Sequence, residues 1–82
     1  MEPYQERMYT EFKELNDRVI KLTEFIYNET YKKFNLSEDE IVDMRCQLYA
    51  MEAYRKALKR RCIRQGIDIP NGTLFHEGES NY

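Results

Sequence analysis

Histidine, cysteine and glycine are scarce in this chain, and the shortage narrows its chemistry at once. One histidine and two cysteines are too few soft ligands for a zinc or iron–sulfur site. His76 stands near the end of the chain with no partner at ligand spacing, and reads as a solvated tail residue. No nucleophile–base pair and no glycine-rich phosphate loop can be assembled. The sequence therefore reads as a binding protein without cofactor or metal, not as an enzyme. Runs of ~18 apolar residues, the length of a membrane span, are also missing. The opening residues, Met-Glu-Pro-Tyr-Gln-Glu-Arg, lack the basic and apolar regions of a signal peptide. A formal charge of −2 speaks against duplex nucleic acid as a partner. Reduced thiols are expected, because Cys46 and Cys62 fall on one expected helix, ~24 Å apart, too far for a bridge within the chain.

What is present is helical. An 82-residue chain makes one domain. Proline and glycine do not occur between Pro3 and Gly66, and two helices fit that span. The first is expected from Pro3 to Tyr27 or Tyr31, with Pro3 at a position where its missing N–H costs nothing. Met8, Phe12, Leu15, Val19, Leu22 and Ile26 follow a heptad-like seam. A second row, Tyr9, Ile20, Tyr27, Tyr31 and Phe34, lies about 100° round from it. One partner helix cannot cover so wide a sector. The second helix is expected from about residue 38 to 65. Ser37 is its N-cap, Glu40 completes a capping box, and Gly66 is the residue that ends it. The expected organisation is a hairpin over residues 1–66 and a tail over 67–82. In the tail, Ile67-Asp-Ile69 looks strand-like, Pro70-Asn71-Gly72 reads as a turn, and Thr73-Leu-Phe75 as a short extended piece. The three Asn-x-Ser/Thr sequons at Asn28, Asn35 and Asn71 are read as chance matches in the absence of a signal peptide.

The second helix carries the most informative pattern. Ile41, Met44, Leu48, Met51, Leu58 and Cys62 form one apolar strip, and Cys46, Ala50, Ala53 and Ala57 form a second, small one. Between them run Gln47, Tyr54 and Arg61, one heptad apart. Polar groups so flanked form either a hydrogen-bonded network at an interface or the wall of a polar ligand site. Arg55 falls inside the Met51/Leu58 strip and requires an anionic partner: a carboxylate such as Glu11 or Glu14, or a bound phosphate. Lys56, Lys59 and Arg60 share the solvated side with Arg45 and Glu52. In an antiparallel hairpin, Tyr4 and Arg7 come to the same end as Arg61 and Arg64. That end then offers arginines for phosphate and tyrosines for base stacking.

These motifs together resemble a known family. Tyr4-Gln-Glu-Arg7, Glu11, Leu15, Lys21-Leu22 and Phe25-Ile26 carry its first half. Gln47-Leu-Tyr-Ala-Met51, Tyr54, Leu58, Arg61 and Gly66-Ile67 carry its second. The pattern is similar to the small helical-hairpin proteins of crAss-like and many other tailed bacteriophages, over about residues 3–68. The resemblance implies a phage protein acting in the cytoplasm of an infected bacterium. By analogy with phage anti-CBASS and anti-Thoeris sponges, it implies sequestration of a cyclic di- or trinucleotide by a homo-oligomer, a dimer or tetramer. The residues carried over as ligand-binding are Tyr4, Arg7, Gln47, Tyr54 and Arg61. Two other readings stand beside this one. The first is a protein that docks on a host defence enzyme through its acidic surface, since 15 acidic and only 7 basic residues lie outside positions 55–64. The second is a scaffold in which the polar row serves assembly alone. The expected fold class is all-α: an antiparallel two-helix hairpin with a short extended tail, completed by homo-oligomerisation.

Overall fold

In the computed structural model, which describes residues 1–69, the chain folds as an antiparallel pair of helices. Helix α1 runs Pro3–Tyr27 and helix α2 runs Glu38–Arg64. A 3-10 turn, Thr30–Phe34, fills part of the connector. Of the two expected ends, Tyr27 and Tyr31, α1 takes the first, and residues 28–31 break from it. Asn28 caps α1, and Glu29 turns into the left-handed region at φ 56°. The Lys32 ammonium pairs with the Glu29 carboxylate at 3.1 Å. Phe25 then holds the turn down, with the Phe34 ring 5.7 Å away and the Tyr31 ring 6.4 Å away.

Both ends of α2 form as local chemistry dictates. The Ser37 hydroxyl accepts from the Glu40 amide at 3.1 Å, satisfying a donor that no helical carbonyl can reach. Glu38, Asp39 and Glu40 place negative charge against the positive end of the helix dipole. At the other end Gly66 takes φ 77°. Its N–H donates to the Ile63 carbonyl at 2.9 Å, and the Ile67 N–H donates to the Cys62 carbonyl at 3.0 Å. That pair of bonds is a Schellman closure, which requires a left-handed residue and so selects glycine. It also turns Ile67 inward, where it is buried against the core. The strand-like alternation of Ile67 and Ile69 therefore serves a helix cap, and no strand forms among the described residues. The expected turn at Pro70–Gly72, the extended piece Thr73–Phe75 and His76 lie outside them.

The core is a single seam. Met8, Phe12, Leu15, Val19 and Ile26 of α1 meet Leu48, Leu58 and Cys62 of α2, with Ile67 closing one end. All five α1 residues belong to the expected heptad seam, and Leu22, Met44 and Met51 pack beside it, half-buried. In the middle of this seam lies Arg55, 1% exposed. Its guanidinium donates to the Asn16 side-chain oxygen at 2.9 Å. An amide thus makes a contact for which a carboxylate such as Glu11 or Glu14 was expected. Asn16 faces the seam, whereas Glu11 and Glu14 sit one helical step out on its exposed flank. At the termini, the Tyr4 hydroxyl donates to the Gln65 side-chain oxygen at 2.6 Å, and the Gln5 amide donates to the Gln65 carbonyl at 2.9 Å. The start of α1 is thus tied to the end of α2.

Two stability changes follow from this packing. Ser37→Ala should cost about 1 kcal/mol in urea denaturation, through loss of the cap. Asn16→Ala should cost about 1.5–3 kcal/mol, because it withdraws an acceptor from a buried cation. The paired change Asn16→Leu with Arg55→Met should recover most of that loss, since an apolar pair of similar volume needs no desolvation. A double mutant no more stable than Asn16→Ala would show that the polar pair is not the source of the cost.

Candidate functional site

Gln47, Tyr54 and Arg61 lie along one edge of α2, at steps of ~10.5 Å, and all three are exposed. The seam of the hairpin borders them on one side. On the other side lies the strip Cys46, Ala50, Ala53 and Ala57, which the hairpin leaves wholly exposed. The row is therefore not a network inside one chain.

Gln47 belongs to a groove between the helices. Arg18, Lys21, Leu22 and Phe25 of α1 face Met44, Gln47 and Met51 of α2 around an open space of ≈ 460 Å³. Four apolar side chains make its floor, and two cations and an amide make its lip. The cations are held loosely. Arg18 pairs with Glu14 at 4.0 Å and Lys21 with Asp17 at 2.9 Å, all on the surface. Exposed pairs of this kind contribute little, so an incoming anion can take either cation from its carboxylate.

The far end of the row has a different electrostatic setting. Arg61 on α2 and Glu11 on α1 act on the Cys62 thiol in opposite directions. Arg7 lines a second open groove, ≈ 420 Å³, together with Pro3, Glu6, Thr10, Glu11 and Glu14. Three carboxylates around one arginine make a poor seat for a phosphate. Tyr4 keeps its ring half-exposed, while its hydroxyl is used by Gln65. The structure thus brings Gln47, Tyr54 and Arg61 into line. It sets Tyr4 against Gln65 and Arg7 among carboxylates, so the five residues do not share one pocket. The groove residues Arg18, Lys21, Leu22, Phe25, Met44 and Met51 are absent from the expected ligand-binding set. Their signal lay in the seam pattern itself: Leu22, Met44 and Met51 sit at its margin, where one partner helix leaves them half-covered.

Among the described residues no cluster of histidine, cysteine and carboxylate can hold a metal ion. No helix there is long and apolar enough to cross a membrane. Both thiols are free, with Cys46 exposed and Cys62 buried. Burial pushes the Cys62 thiol above its ordinary value of 9.0; Arg61 pulls it down and Glu11 pushes it up.

The chain belongs to the Sequestin family, whose model matches residues 2–64. The match covers both helices and the whole of the row and groove. The family's name is one of sequestration, a role of binding, and it specifies no ligand. No curated protein and no solved structure matches the chain.

The two thiols should differ sharply in reactivity. Iodoacetamide under native conditions should label Cys46 and leave Cys62 until the chain unfolds, as read by peptide mass spectrometry. Equal labelling of both would contradict the burial of Cys62. The pH dependence has a definite sign. A raised pKa in the folded state means the native chain keeps a proton that the unfolded chain has released. The stability from this source is present below about pH 9 and is lost as the pH rises through the folded value. Cys62→Ala should therefore lose less stability than the parent protein between about pH 8 and 10.

Proposed function

We propose that this protein sequesters a nucleotide immune signal, a cyclic di- or trinucleotide, as a homo-oligomeric sponge made by a bacteriophage in the cytoplasm of its host. The observation that carries the reading is the exposed row Gln47, Tyr54 and Arg61, whose Gln47 end lines a groove with an apolar floor and a cationic lip. Each part suits one part of such a ligand. The Tyr54 ring offers a stacking face for a base. Arg61 offers two-pronged hydrogen bonding to a phosphate. Arg18 and Lys21 add positive charge, and Leu22, Phe25, Met44 and Met51 exclude water beneath. The groove volume falls within the range of small-molecule sites. Membership of a family named for sequestration supports holding over turnover. The phage setting rests on the resemblance of the two motif sets to hairpin proteins of tailed phages.

Oligomerisation is part of the proposal. An open groove on one hairpin exposes most of a bound ligand, whereas tight sites enclose theirs. Tyr27, Phe34, Val42, Tyr49 and Ile63 are large apolar side chains left more than half exposed. Their number is best explained by contact with further copies, as a dimer or a tetramer. The rival reading, docking on a host enzyme, draws on the carboxylates Glu6, Glu11 and Glu14 around Arg7.

A thermal-shift panel of cyclic nucleotides tests this reading. A ligand at about a hundred times its Kd stabilises the folded state by ~2.7 kcal/mol, a shift on the order of 10 °C for a chain of this size. Arg61→Ala should weaken binding by about 1.5–3 kcal/mol. Tyr54→Ala should cost about 1–3 kcal/mol, while Tyr54→Phe keeps the ring and most of the affinity. Lys33→Ala, in the connector, should change nothing. A flat panel would reject the nucleotide sponge and favour protein docking.

A further inference from the structure

The back of α2 carries a second seam that the hairpin does not use. Two heptad lines run along it: Asp39, Cys46, Ala53 and Arg60 form the first, and Asp43, Ala50, Ala57 and Arg64 the second. Each reads acid, small, small, arginine. Together they alternate in steps of four and three, as in a coiled-coil contact, over ~38 Å of helix. All eight residues are exposed. Asp39, Asp43, Arg60 and Arg64 form no ion pair within the chain among the described residues. Acids at the start of a helix and arginines at its end suit the dipole, which does not require the turns between them to be free of charge. Here the middle of the stripe has none, and the two ends have opposite signs.

We propose that this face pairs with the same face of a second copy, antiparallel, about a two-fold axis near residues 51 and 52. One register satisfies every position. Setting Ala50 opposite the second copy's Ala53 puts Cys46 opposite Ala57, Asp43 opposite Arg60 and Asp39 opposite Arg64. The two-fold repeats each pairing in the other direction. A parallel pair would instead set acid beside acid and arginine beside arginine, which is repulsive. The small residues let the helices approach to ~8 Å, the short end of helix packing distances.

The pairing also completes the site, a step that rests on the ligand reading given above. Gln47, Tyr54 and Arg61 border the second line on one side. A two-fold axis lying across the helices keeps that side matched, so the rows of both copies border the same edge of the seam. The two Tyr54 residues then sit on either side of the axis, separated by about 7.5 Å along the helices, with an arginine further out on each side. Such an edge presents paired rings and paired cations from two chains. It fits a ligand that itself has two bases and two phosphates.

A covalent trap tests the register. Ala57→Cys should give a dimer on non-reducing gels after mild oxidation, joined through the native Cys46 of the other copy. Within one chain the two thiols would be ~16 Å apart along the helix and could not join. Adding Cys46→Ala should abolish the dimer. Charge reversal gives the second arm. Asp39→Arg with Asp43→Arg should make the protein sediment as a monomer, and so should Arg60→Asp with Arg64→Asp. An equimolar mixture of the two variants should sediment as a dimer. Circular dichroism of each variant checks that its helices persist. Failure to trap, or a parent protein that is monomeric at micromolar concentration, overturns the seam even if nucleotides bind. A trapped dimer that binds no nucleotide leaves the seam standing and removes the ligand reading alone.

Discussion

A buried guanidinium fixes how the two helices meet. Arg55 sits at the centre of a narrow apolar seam, and Asn16 supplies an acceptor from the facing helix. Sliding one helix past the other by a turn would move that acceptor ~5 Å and strand a charge away from water. Leucine and valine in the seam tolerate such a slip far better, because apolar contacts have no direction. The polar pair is thus a device for register, and the groove between the helices inherits its shape from it. Gln47 faces Lys21 and Leu22 across one groove because residue 55 is held at the level of residue 16.

The same seam explains why so much of the molecule remains open. Helix α2 buries Leu48, Arg55, Leu58 and Cys62, and little else fully. A hairpin of two helices has no third layer, so each helix shows more than half its circumference to its surroundings. In most small proteins that surface would be charged. Here it carries aromatic rings and a stripe of small residues among its charges. Binding, of copies or of a ligand, is where the residue choice on this surface finds its physical sense.

Much of this was legible in the residues, and the rest was not for identifiable reasons. The helix starts were readable because Pro3 and Ser37 act locally, the first by lacking a backbone donor and the second by satisfying one. The α1 seam was readable because a period repeated over five contacts leaves little ambiguity. Arg55 was recognised as buried, but its partner was not. A carboxylate is the general expectation for a buried cation, and which of Glu11, Glu14 or Asn16 faces inward depends on the crossing of the two helices. Ile67 and Ile69 alternate as a strand does, yet two residues cannot outweigh the closure that Gly66 imposes. The convergence of Tyr4 and Arg7 with the α2 row assumed that nearness at one end of a hairpin means a shared pocket. The Tyr4 hydroxyl instead bonds Gln65, and Arg7 lines a groove with Glu6, Glu11 and Glu14. Sequence spacing gives the face of a helix well, but not what fills the gap between two faces.

The connector between the helices has a bearing on time. It spans ten residues, Asn28–Ser37, and joins elements that meet directly across the turn. Such a chain has few distant loops to close, and topologies of this type fold in microseconds to milliseconds. A protein that sequesters its target is useful only in proportion to the copies already folded. Its capacity then rises as fast as the ribosome can supply chains.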